Sequence, residues 1–177
     1  MPVNIIEIKA KCEAAAKIRA ILTQQAADFK GVDHQVDTYF KVPIGRLKLR
    51  AGNIENTLIH YNRPNQAGPK NSQVTYQKLA PNTNLKEVLA AALGILVVVD
   101  KQREIYFIDN VKFHVDEVKA LGTFVEIEAI DELGTIGLKE LEAQCQHYMR
   151  LFEIVPDDLI EVSYSDLILS KEGLDEG

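Results

Sequence analysis

Charged and apolar residues alternate strictly in the segment Gly45–Arg50, which reads GRLKLR. Successive side chains of a β-strand point to opposite faces, so the segment predicts a strand with three cations on one face and two leucines on the other. Such a strand needs other apolar side chains to cover its leucines. The alternation therefore predicts a sheet with one apolar face and one strongly charged face.

The same pattern recurs along the chain. Charged or phenolic side chains share one strand face in six segments, namely Glu7, Lys9 and Lys11; Asp37 and Tyr39; Arg46, Lys48 and Arg50; Tyr61 and Arg63; Lys101 and Arg103; and Glu126 and Glu128. Short connections between strands predict mostly antiparallel pairing. About eight strands are expected, including separate ones at 95–101 and 103–109, with helices at 13–27, 85–93 and 136–151.

An α+β fold built on a closed antiparallel barrel would remove the exposed edges that so many strands create. If helices cover the apolar faces outside, the charged faces line a tunnel with about eight cations and three or four carboxylates. Unpaired buried charge is too costly to be kept for packing alone, so the tunnel predicts a highly charged anionic ligand with a metal ion. An open sheet with a solvated charged face is the alternative, and spacing alone leaves both open.

The net charge of -6 at pH 7 and the pI near 5.3 argue against a general nucleic-acid binder. The longest apolar run, 88–99, is too short for a membrane span, and no signal-peptide pattern is present, which predicts a cytoplasmic protein. Cys12 and Cys145 lack metal-site spacing and are predicted to be reduced. One domain is expected at 1–170, followed by a flexible acidic tail at 171–177.

Other familiar chemistry has little support in the sequence. The four histidines, His34, His60, His114 and His147, are scattered and are predicted to be surface or packing residues rather than zinc ligands. No glycine-rich phosphate loop of the GxxxxGK[ST] type is present. The alternating cations therefore carry the functional prediction.

Six short motifs occur in the order that they have in the CYTH superfamily: EIKAK, QVDTYF, GRLKLR, YNRP, VVVDKQR and VDEVKALGTFVEIEA. The chain thus resembles this superfamily, which groups class IV adenylate cyclases with thiamine triphosphatases and inorganic triphosphatases. The resemblance implies an eight-stranded antiparallel tunnel that binds a triphosphate with Mg²⁺ or Mn²⁺, and it is compatible with a homodimer. The motif style is more similar to the cyclase branch, which converts ATP to cyclic AMP and pyrophosphate.

The family pattern also implies roles for individual residues. Phosphate contacts would come from Lys9, Lys11, Arg46, Lys48, Arg50, Arg63, Lys101 and Arg103. The metal would be held by Glu7, Glu126 and Glu128, with Asp116 as a further candidate. Catalytic roles fall to Lys9, Arg50 and Glu7, whereas Tyr39 and Tyr61 match motif positions without an assigned role.

One position departs from the family pattern. The signature Glu-x-Glu-x-Lys begins here with Ile5, which removes one metal ligand or water-positioning base. Two alternatives to the cyclase therefore remain: a triphosphatase that releases phosphate from tripolyphosphate or thiamine triphosphate, and a non-catalytic protein that binds nucleotides or polyphosphate.

Overall fold

The computed structural model describes residues 2–63 and 65–175, within which the chain forms eight strands and four α-helices. The strands are β1 (Val3–Lys11), β2 (Asp28–Phe40), β3 (Arg46–Ala51), β4 (Thr57–Asn62), β5 (Lys70–Lys78), β6 (Ile95–Ile108), β7 (Val111–Val118) and β8 (Gly122–Asp131). The helices are α1 (Ala15–Gln24), α2 (Leu85–Leu93), α3 (Leu138–Leu151) and α4 (Tyr164–Asp175). None of the helices in these described ranges is long and apolar enough to cross a bilayer.

All eight strands belong to one closed antiparallel barrel. Their order around the barrel is β1-β5-β4-β3-β2-β6-β7-β8, and β8 pairs with β1 to complete the ring. This pairing leaves no free edge along the ring, which is the advantage expected of closure. The predicted α+β fold, a closed eight-stranded antiparallel barrel with helices outside, is confirmed.

Strand β6 runs without a break from Ile95 to Ile108, so the prediction of two separate strands there is wrong. Gln102, the residue between the predicted strands, pairs with His34 of β2 and with Glu117 of β7. A polar residue on a half-exposed face is compatible with a strand, so it does not mark a turn. Helix α1 also ends before its predicted end, because β2 already begins at Asp28.

Helices α1 and α3 cover the apolar outer face of β1, β7 and β8. Leu22 of α1 and Leu141 of α3 are 0% exposed and pack in one cluster with Phe113 and Ile127 of the barrel. Cys12 and Cys145 lie in the same cluster as free, buried thiols, as predicted. Helix α2 contains no buried residue, so the helical cover lies mainly on one side of the barrel.

The chain after α3 closes the end of the barrel at which β3 and β5 begin; this is called the closed end below. Leu159 forms a bridge with Ala10, and the Ile160 amide donates to the Lys9 carbonyl at 2.9 Å. Tyr164 then packs on Phe124 with ring centroids 5.0 Å apart. At the other end, called the open end, Tyr76 lines the cavity and is 38% exposed.

Helix α4 was not predicted from the sequence. It continues to Asp175 and therefore includes part of the segment 171–177, which the sequence predicts to be a flexible tail. The last two residues of that segment, 176–177, lie outside the described residues. The flexibility of the tail and the single-domain boundary at 170 stay predictions.

Candidate functional site

The barrel encloses a cavity of about 270 Å³ that receives side chains from all eight strands. Its charged lining comprises eight cations, Lys9, Lys48, Arg50, Arg63, Lys78, Lys101, Arg103 and Lys112, and six carboxylates, Glu7, Asp37, Glu55, Glu126, Glu128 and Glu132. The charged strand faces therefore point inward, which is the closed-barrel alternative and the one that the family resemblance implies. Two carboxylates exceed the expected number, because Glu55 and Glu132 lie beyond strand ends, where alternation gives no signal.

The residue before β3, Gly45, has a backbone conformation that glycine adopts more readily than other residues. Gly45 has a φ of +65°, and a Cβ at this position would lie 2.6 Å from the backbone oxygen of Tyr61. L-residues rarely adopt this φ, and the close approach leaves no room for a side chain. Gly45 thus lets β3 begin against β4, which places Lys48 and Arg50 on the inner face.

Asp37 anchors three of the cations. Its carboxylate accepts hydrogen bonds from Arg50 at 2.9 and 2.8 Å and from Lys101 at 2.8 Å, and Lys48 lies 3.4 Å away. Burial alone would raise the pKa of the Asp37 carboxyl, but the charges of Arg50, Lys101 and Lys48 hold it well below its usual range. Asp37 therefore stays ionised and fixes the direction in which these cations face the cavity.

Asp116 anchors Arg103 in the same way. The guanidinium donates to the two carboxylate oxygens at 2.8 and 2.7 Å, and the Tyr164 hydroxyl donates to Oδ2 at 2.8 Å. Burial would raise the pKa of Asp116, but Arg103 lowers it below its usual value. Both oxygens are engaged, and the side chain is absent from the cavity lining. This geometry is that of a counter-ion for Arg103, and a metal-ligand role for Asp116 stays a prediction.

His114, Glu126 and Glu128 form a group suited to a divalent metal ion. One ligand atom from each lies within 4.8 Å of the others, and His114 Nδ1 is 3.2 Å from Glu126 and 3.8 Å from Glu128. Burial and the nearby Arg103 lower the pKa of His114, which favours the neutral imidazole that binds metals. Its Nε2 is buried and has no hydrogen-bond partner among the described residues. The donor set fits a divalent ion.

His114 is buried, which agrees with the prediction of a surface or packing residue, but its position beside Glu126 and Glu128 also makes it a candidate metal ligand that the sequence analysis did not name. A signal was available: Lys112, His114 and Asp116 alternate with Val111, Phe113 and Val115 in β7, like the other strands with a charged face. In the ladder with β8, His114 lies opposite Glu126 and Lys112 lies opposite Glu128. The same two-residue period that located the other cations would have placed His114 on the charged face of β7, although its side chain is not part of the cavity lining.

Glu7 and Lys9 of β1 lie inside the tunnel. Glu7 forms an ion pair with Arg63 and lies opposite Glu128 in the β1–β8 ladder. Lys9 is 5% exposed, lies 3.8 Å from Glu126, and places Nζ 4.0 Å from the centroid of the Tyr164 ring. Burial lowers the pKa of Lys9, and Glu126 partly offsets this effect.

Two predicted phosphate contacts, Lys11 and Arg46, lie outside the cavity lining. Lys11 is exposed at the end of β1. The Arg46 side chain is 41% exposed and donates to Asp166 of α4 at 2.8 Å. Alternation placed both on the inward face, but these positions lie at the closed end, where α4 intervenes. The geometry therefore does not support phosphate contacts from either residue.

An ion pair near the open end was missed entirely. Lys112 lies 2.6 Å from Glu55, and Arg50 lies 3.6 Å from the same carboxylate. Burial would raise the pKa of Glu55, but Lys112 and Arg50 hold it well below its usual range. Glu55 lies in the connection between β3 and β4, so strand periodicity could not identify it.

The chain belongs to the CYTH domain family, whose model matches residues 4–150. Members of this family are adenylate cyclase-like or triphosphatase enzymes that act on triphosphate substrates. The resemblance inferred from the six motifs is thereby confirmed. No curated protein matches the chain in sequence.

Solved structures share the fold at low sequence identity. The PH1012 protein of Pyrococcus horikoshii OT3 is 21% identical with a TM-score of 0.76, covering 94% of this chain and 99% of that one. A Vibrio parahaemolyticus protein proposed to be an adenylate cyclase is 14% identical with a TM-score of 0.78, covering 93% and 97%. HpAC1 from Hippeastrum, which has a dominant triphosphatase activity, is 13% identical with a TM-score of 0.61, covering 98% and 96%. At these identities the likeness concerns the fold alone.

Proposed function

We propose that this chain is a metal-dependent enzyme that binds ATP inside the barrel and converts it to cyclic AMP and pyrophosphate. The observation that carries the proposal is a cavity lined by eight cations, beside a cluster of His114, Glu126 and Glu128, with one end closed by the chain itself. Lysine and arginine pair with phosphate oxygens, and carboxylates with imidazole hold divalent metals. Class IV adenylate cyclases and triphosphatases both need this combination.

The charge of the lining supports a triphosphate together with a metal ion. Eight cations face six carboxylates, which leaves a small positive excess. A triphosphate ester carries more negative charge than this excess, so a divalent cation would complete the neutralisation. Of the carboxylates, Asp37 is already committed to its cations, whereas Glu126 and Glu128 belong to the cluster that fits a metal.

Six cations are suited to hold the phosphate chain: Lys9, Lys48, Arg50, Arg63, Lys101 and Arg103. Arg50, Lys101 and Arg103 are fixed by hydrogen bonds to Asp37 and Asp116. Donors that are held in place before the substrate arrives need no reorganisation when charge develops on phosphate oxygens. Lys9 and Lys48 have more distant carboxylate partners, at 3.8 and 3.4 Å, and are free to turn toward an anion.

Mg²⁺ or Mn²⁺ is the proposed metal, with Glu126, Glu128 and His114 as ligands and Glu7 nearby on the paired strand. A bound divalent ion would stabilise the negative charge that develops on phosphate oxygens during transfer. The nitrogen of His114 favours a transition metal over Mg²⁺, so Mn²⁺ is the better match of the two.

The closed end supports attack on the α-phosphorus over attack on the terminal phosphorus. In phosphoryl transfer the attacking and leaving oxygens lie roughly in line. If the terminal phosphate points toward the closed end, water attacking it in line would need the space filled by Ser163 and Tyr164, which are 4% and 5% exposed. The ribose hydroxyl of ATP would instead approach the α-phosphorus from the open end, where the cavity is accessible.

The catalytic roles follow from the same orientation. Glu7 lies one inward-facing position nearer the open end than Lys9, so we assign it as the base that accepts the proton of the ribose hydroxyl. Lys9 and Arg50 would stabilise charge on the pyrophosphate leaving group. These roles keep the predicted catalytic set of Lys9, Arg50 and Glu7.

Hydrolysis of the triphosphate is the second candidate. It is favoured by the shared fold with HpAC1, a protein with dominant triphosphatase activity. The apolar Ile5 counts against it, because this position has no carboxylate to position water. A purely binding role has weaker support, since a simple anion binder has no use for the cluster of His114, Glu126 and Glu128.

A product assay tests the proposal. The purified protein receives Mn²⁺ or Mg²⁺ with ATP, tripolyphosphate or thiamine triphosphate in separate reactions, and the products are separated by chromatography. Cyclic AMP with an equal amount of pyrophosphate is expected from ATP. Formation of cyclic AMP should be lost in Glu126→Gln but persist in Glu132→Gln, because Glu132 lies near Tyr76 at the open end and outside the cluster that fits a metal. Release of phosphate without cyclic AMP would contradict the cyclase proposal and support triphosphate hydrolysis instead. The predicted homodimer and cytoplasmic location stay predictions.

A further inference from the structure

Lys70, the first residue of β5, is a buried cation that the proposed mechanism does not use. It lies opposite Glu7 in the β1–β5 ladder and two residues before Ser72, which lines the cavity. The two-residue period therefore places Lys70 on the inward face of β5, at the closed end. Lys70 is 1% exposed but is not part of the cavity lining. Its amine is directed instead to the chain that closes the barrel.

The partner of Lys70 is the segment 159–163, called the closing segment below. Lys70 Nζ donates hydrogen bonds to the Ile160 carbonyl at 3.0 Å and to the Glu161 carbonyl at 2.7 Å. The Ile160 amide donates in turn to the Lys9 carbonyl of β1, the strand beside β5. The closing segment is thus held by the backbone of β1 and by a side chain of β5.

A lysine is an unfavourable choice for this position unless its hydrogen bonds are needed. Burial lowers the pKa of Lys70 to about 7, and the positive charges of Arg63 and Lys9 add to the effect. An apolar residue would avoid the cost of burying an amine but could not bind the two carbonyls. The identity of residue 70 therefore matters to the closing segment more than to the packing of β5.

The closing segment leads directly into Tyr164, whose side chain contacts the candidate site. The centroid of the Tyr164 ring lies 4.0 Å from Lys9 Nζ, and its hydroxyl donates to Asp116 Oδ2 at 2.8 Å. Asp116 is the carboxylate that holds Arg103. Movement of the closing segment would displace Tyr164 and disturb two of the cations that are suited to hold phosphate.

We propose that Lys70 is a positioning residue for the phosphate-binding cations. By binding the closing segment, Lys70 keeps Tyr164 in contact with Lys9 and Asp116 before the triphosphate arrives. Binding then requires no ordering of this segment, so the free energy of ordering does not reduce the affinity. This inference rests on the proposed function, because it requires that a triphosphate occupies the tunnel.

Lys70→Met tests the inference, because it removes the donor but keeps a long unbranched side chain. Amide hydrogen exchange of the closing segment is followed by mass spectrometry on the full chain. We expect exchange to be at least about tenfold faster, since loss of hydrogen bonds from a charged donor corresponds to a change of this size. The dissociation constant of tripolyphosphate, measured by isothermal titration calorimetry with Mn²⁺, should rise at least about threefold, because fewer molecules have the closing segment in place.

The coupling between closure and binding provides a measurement that a purely structural role would not affect. Saturating tripolyphosphate should slow exchange of the closing segment in Lys70→Met back toward the wild-type rate, since linkage is reciprocal. The affinity for Mn²⁺ alone should stay unchanged, because the metal cluster lies on β7 and β8. Lys70→Gln, whose shorter side chain withdraws the donor, is the second variant if Lys70→Met does not fold, as judged by circular dichroism.

Lys171→Met is the matched control. Lys171 of α4 also donates to a backbone carbonyl, that of Ala120 at 2.8 Å, but its side chain is exposed and remote in sequence from the closing segment. Neither the exchange rate of the closing segment nor the dissociation constant of tripolyphosphate should change in this variant.

The outcomes separate the inference from the proposed function. Faster exchange with unchanged affinity for tripolyphosphate would leave Lys70 a structural role only and overturn the inference. Unchanged exchange in Lys70→Met, or fast exchange that tripolyphosphate does not slow, would overturn it as well. Failure of the wild type to bind tripolyphosphate would overturn the proposed function and the inference with it.

Discussion

Replacing Asp37 with asparagine removes the charge that holds three cations without changing the shape of the side chain. Arg50 and Lys101 each donate to this carboxylate at 2.8 Å, and Lys48 lies 3.4 Å away. Asp37 is 1% exposed, so water cannot take its place. Leaving buried cations without their partner costs about 3–5 kcal/mol.

The lower part of that range is expected near neutral pH. Burial lowers the pKa of Lys101 to about 7, so this lysine can lose its proton and leave fewer charges uncompensated in Asp37→Asn. A loss of about 3 kcal/mol with a slope of about 2 kcal/mol/M moves the urea midpoint by about 1.5 M. Urea unfolding followed by circular dichroism measures this shift.

The same experiment distinguishes a counter-ion from a packing residue. Added tripolyphosphate should stabilise Asp37→Asn more than it stabilises the wild type, because the anion replaces the missing carboxylate beside Arg50 and Lys101. Asp100→Asn is the matched control: its side chain is 40% exposed, it pairs with His34 at 2.8 Å, and its loss should cost less than about 1 kcal/mol. Equal losses at positions 37 and 100 would refute the counter-ion role of Asp37.

Three further predictions concern the tunnel. Lys48→Glu should weaken tripolyphosphate binding, measured by calorimetry, by at least about tenfold, because the reversal places negative charge beside the phosphates. The circular dichroism spectrum should be unchanged, and retained affinity would contradict the phosphate-binding model. Glu128→Gln should weaken Mn²⁺ binding, measured by electron paramagnetic resonance, by about tenfold, whereas Glu132→Gln should not. The lowered pKa of Lys101, about 7 against 10.5 ordinarily, means that the unfolded chain binds more protons between these values, so stability should rise with pH there. Lys101→Met should reduce that rise in urea unfolding across the pH range, and an identical slope would rule out this titration.

Alternation predicted the barrel interior well because it is a local property of each strand. Lys48 and Arg50 are two residues apart and share one face of β3, whereas Leu49 between them lies on the other face. Because the barrel is closed, one face becomes its interior and the other its exterior. The motif order added closure itself, which spacing alone had left open. The sequence therefore contained most of the tunnel lining.

The pairing of charges within the tunnel was not predictable from any single strand. Asp37 meets Arg50, and Arg103 meets Asp116, because they are direct partners in ladders between different strands. A sequence shows the face to which a residue belongs but not its partner on the neighbouring strand, so the ion pair of Asp116 with Arg103 has no signal in either strand alone.

Helix α4 shows a second kind of limit. Its sequence lacks a regular apolar stripe, because its apolar residues meet the barrel end instead of one flat neighbour. Tyr164 and Leu167 join the apolar cluster that includes Val97 and Val99 of β6. Their burial depends on the closed end of a barrel that is built from distant segments, and no local pattern encodes it.

The distribution of charge also bears on which anions reach the site. The chain carries a formal charge of -6, while cations outnumber carboxylates in the cavity, so the acidic excess lies outside the tunnel. An acidic exterior repels extended polyanions such as nucleic acids, and the field of the inner cations acts mainly on groups small enough to enter. A compact triphosphate whose charge is partly neutralised by a divalent ion meets less repulsion outside and more attraction within. Anions are thus selected by charge and size before they reach Lys9 and Arg50. Added salt should reduce the repulsion at the exterior more than it weakens the buried contacts, because buried charges are screened less.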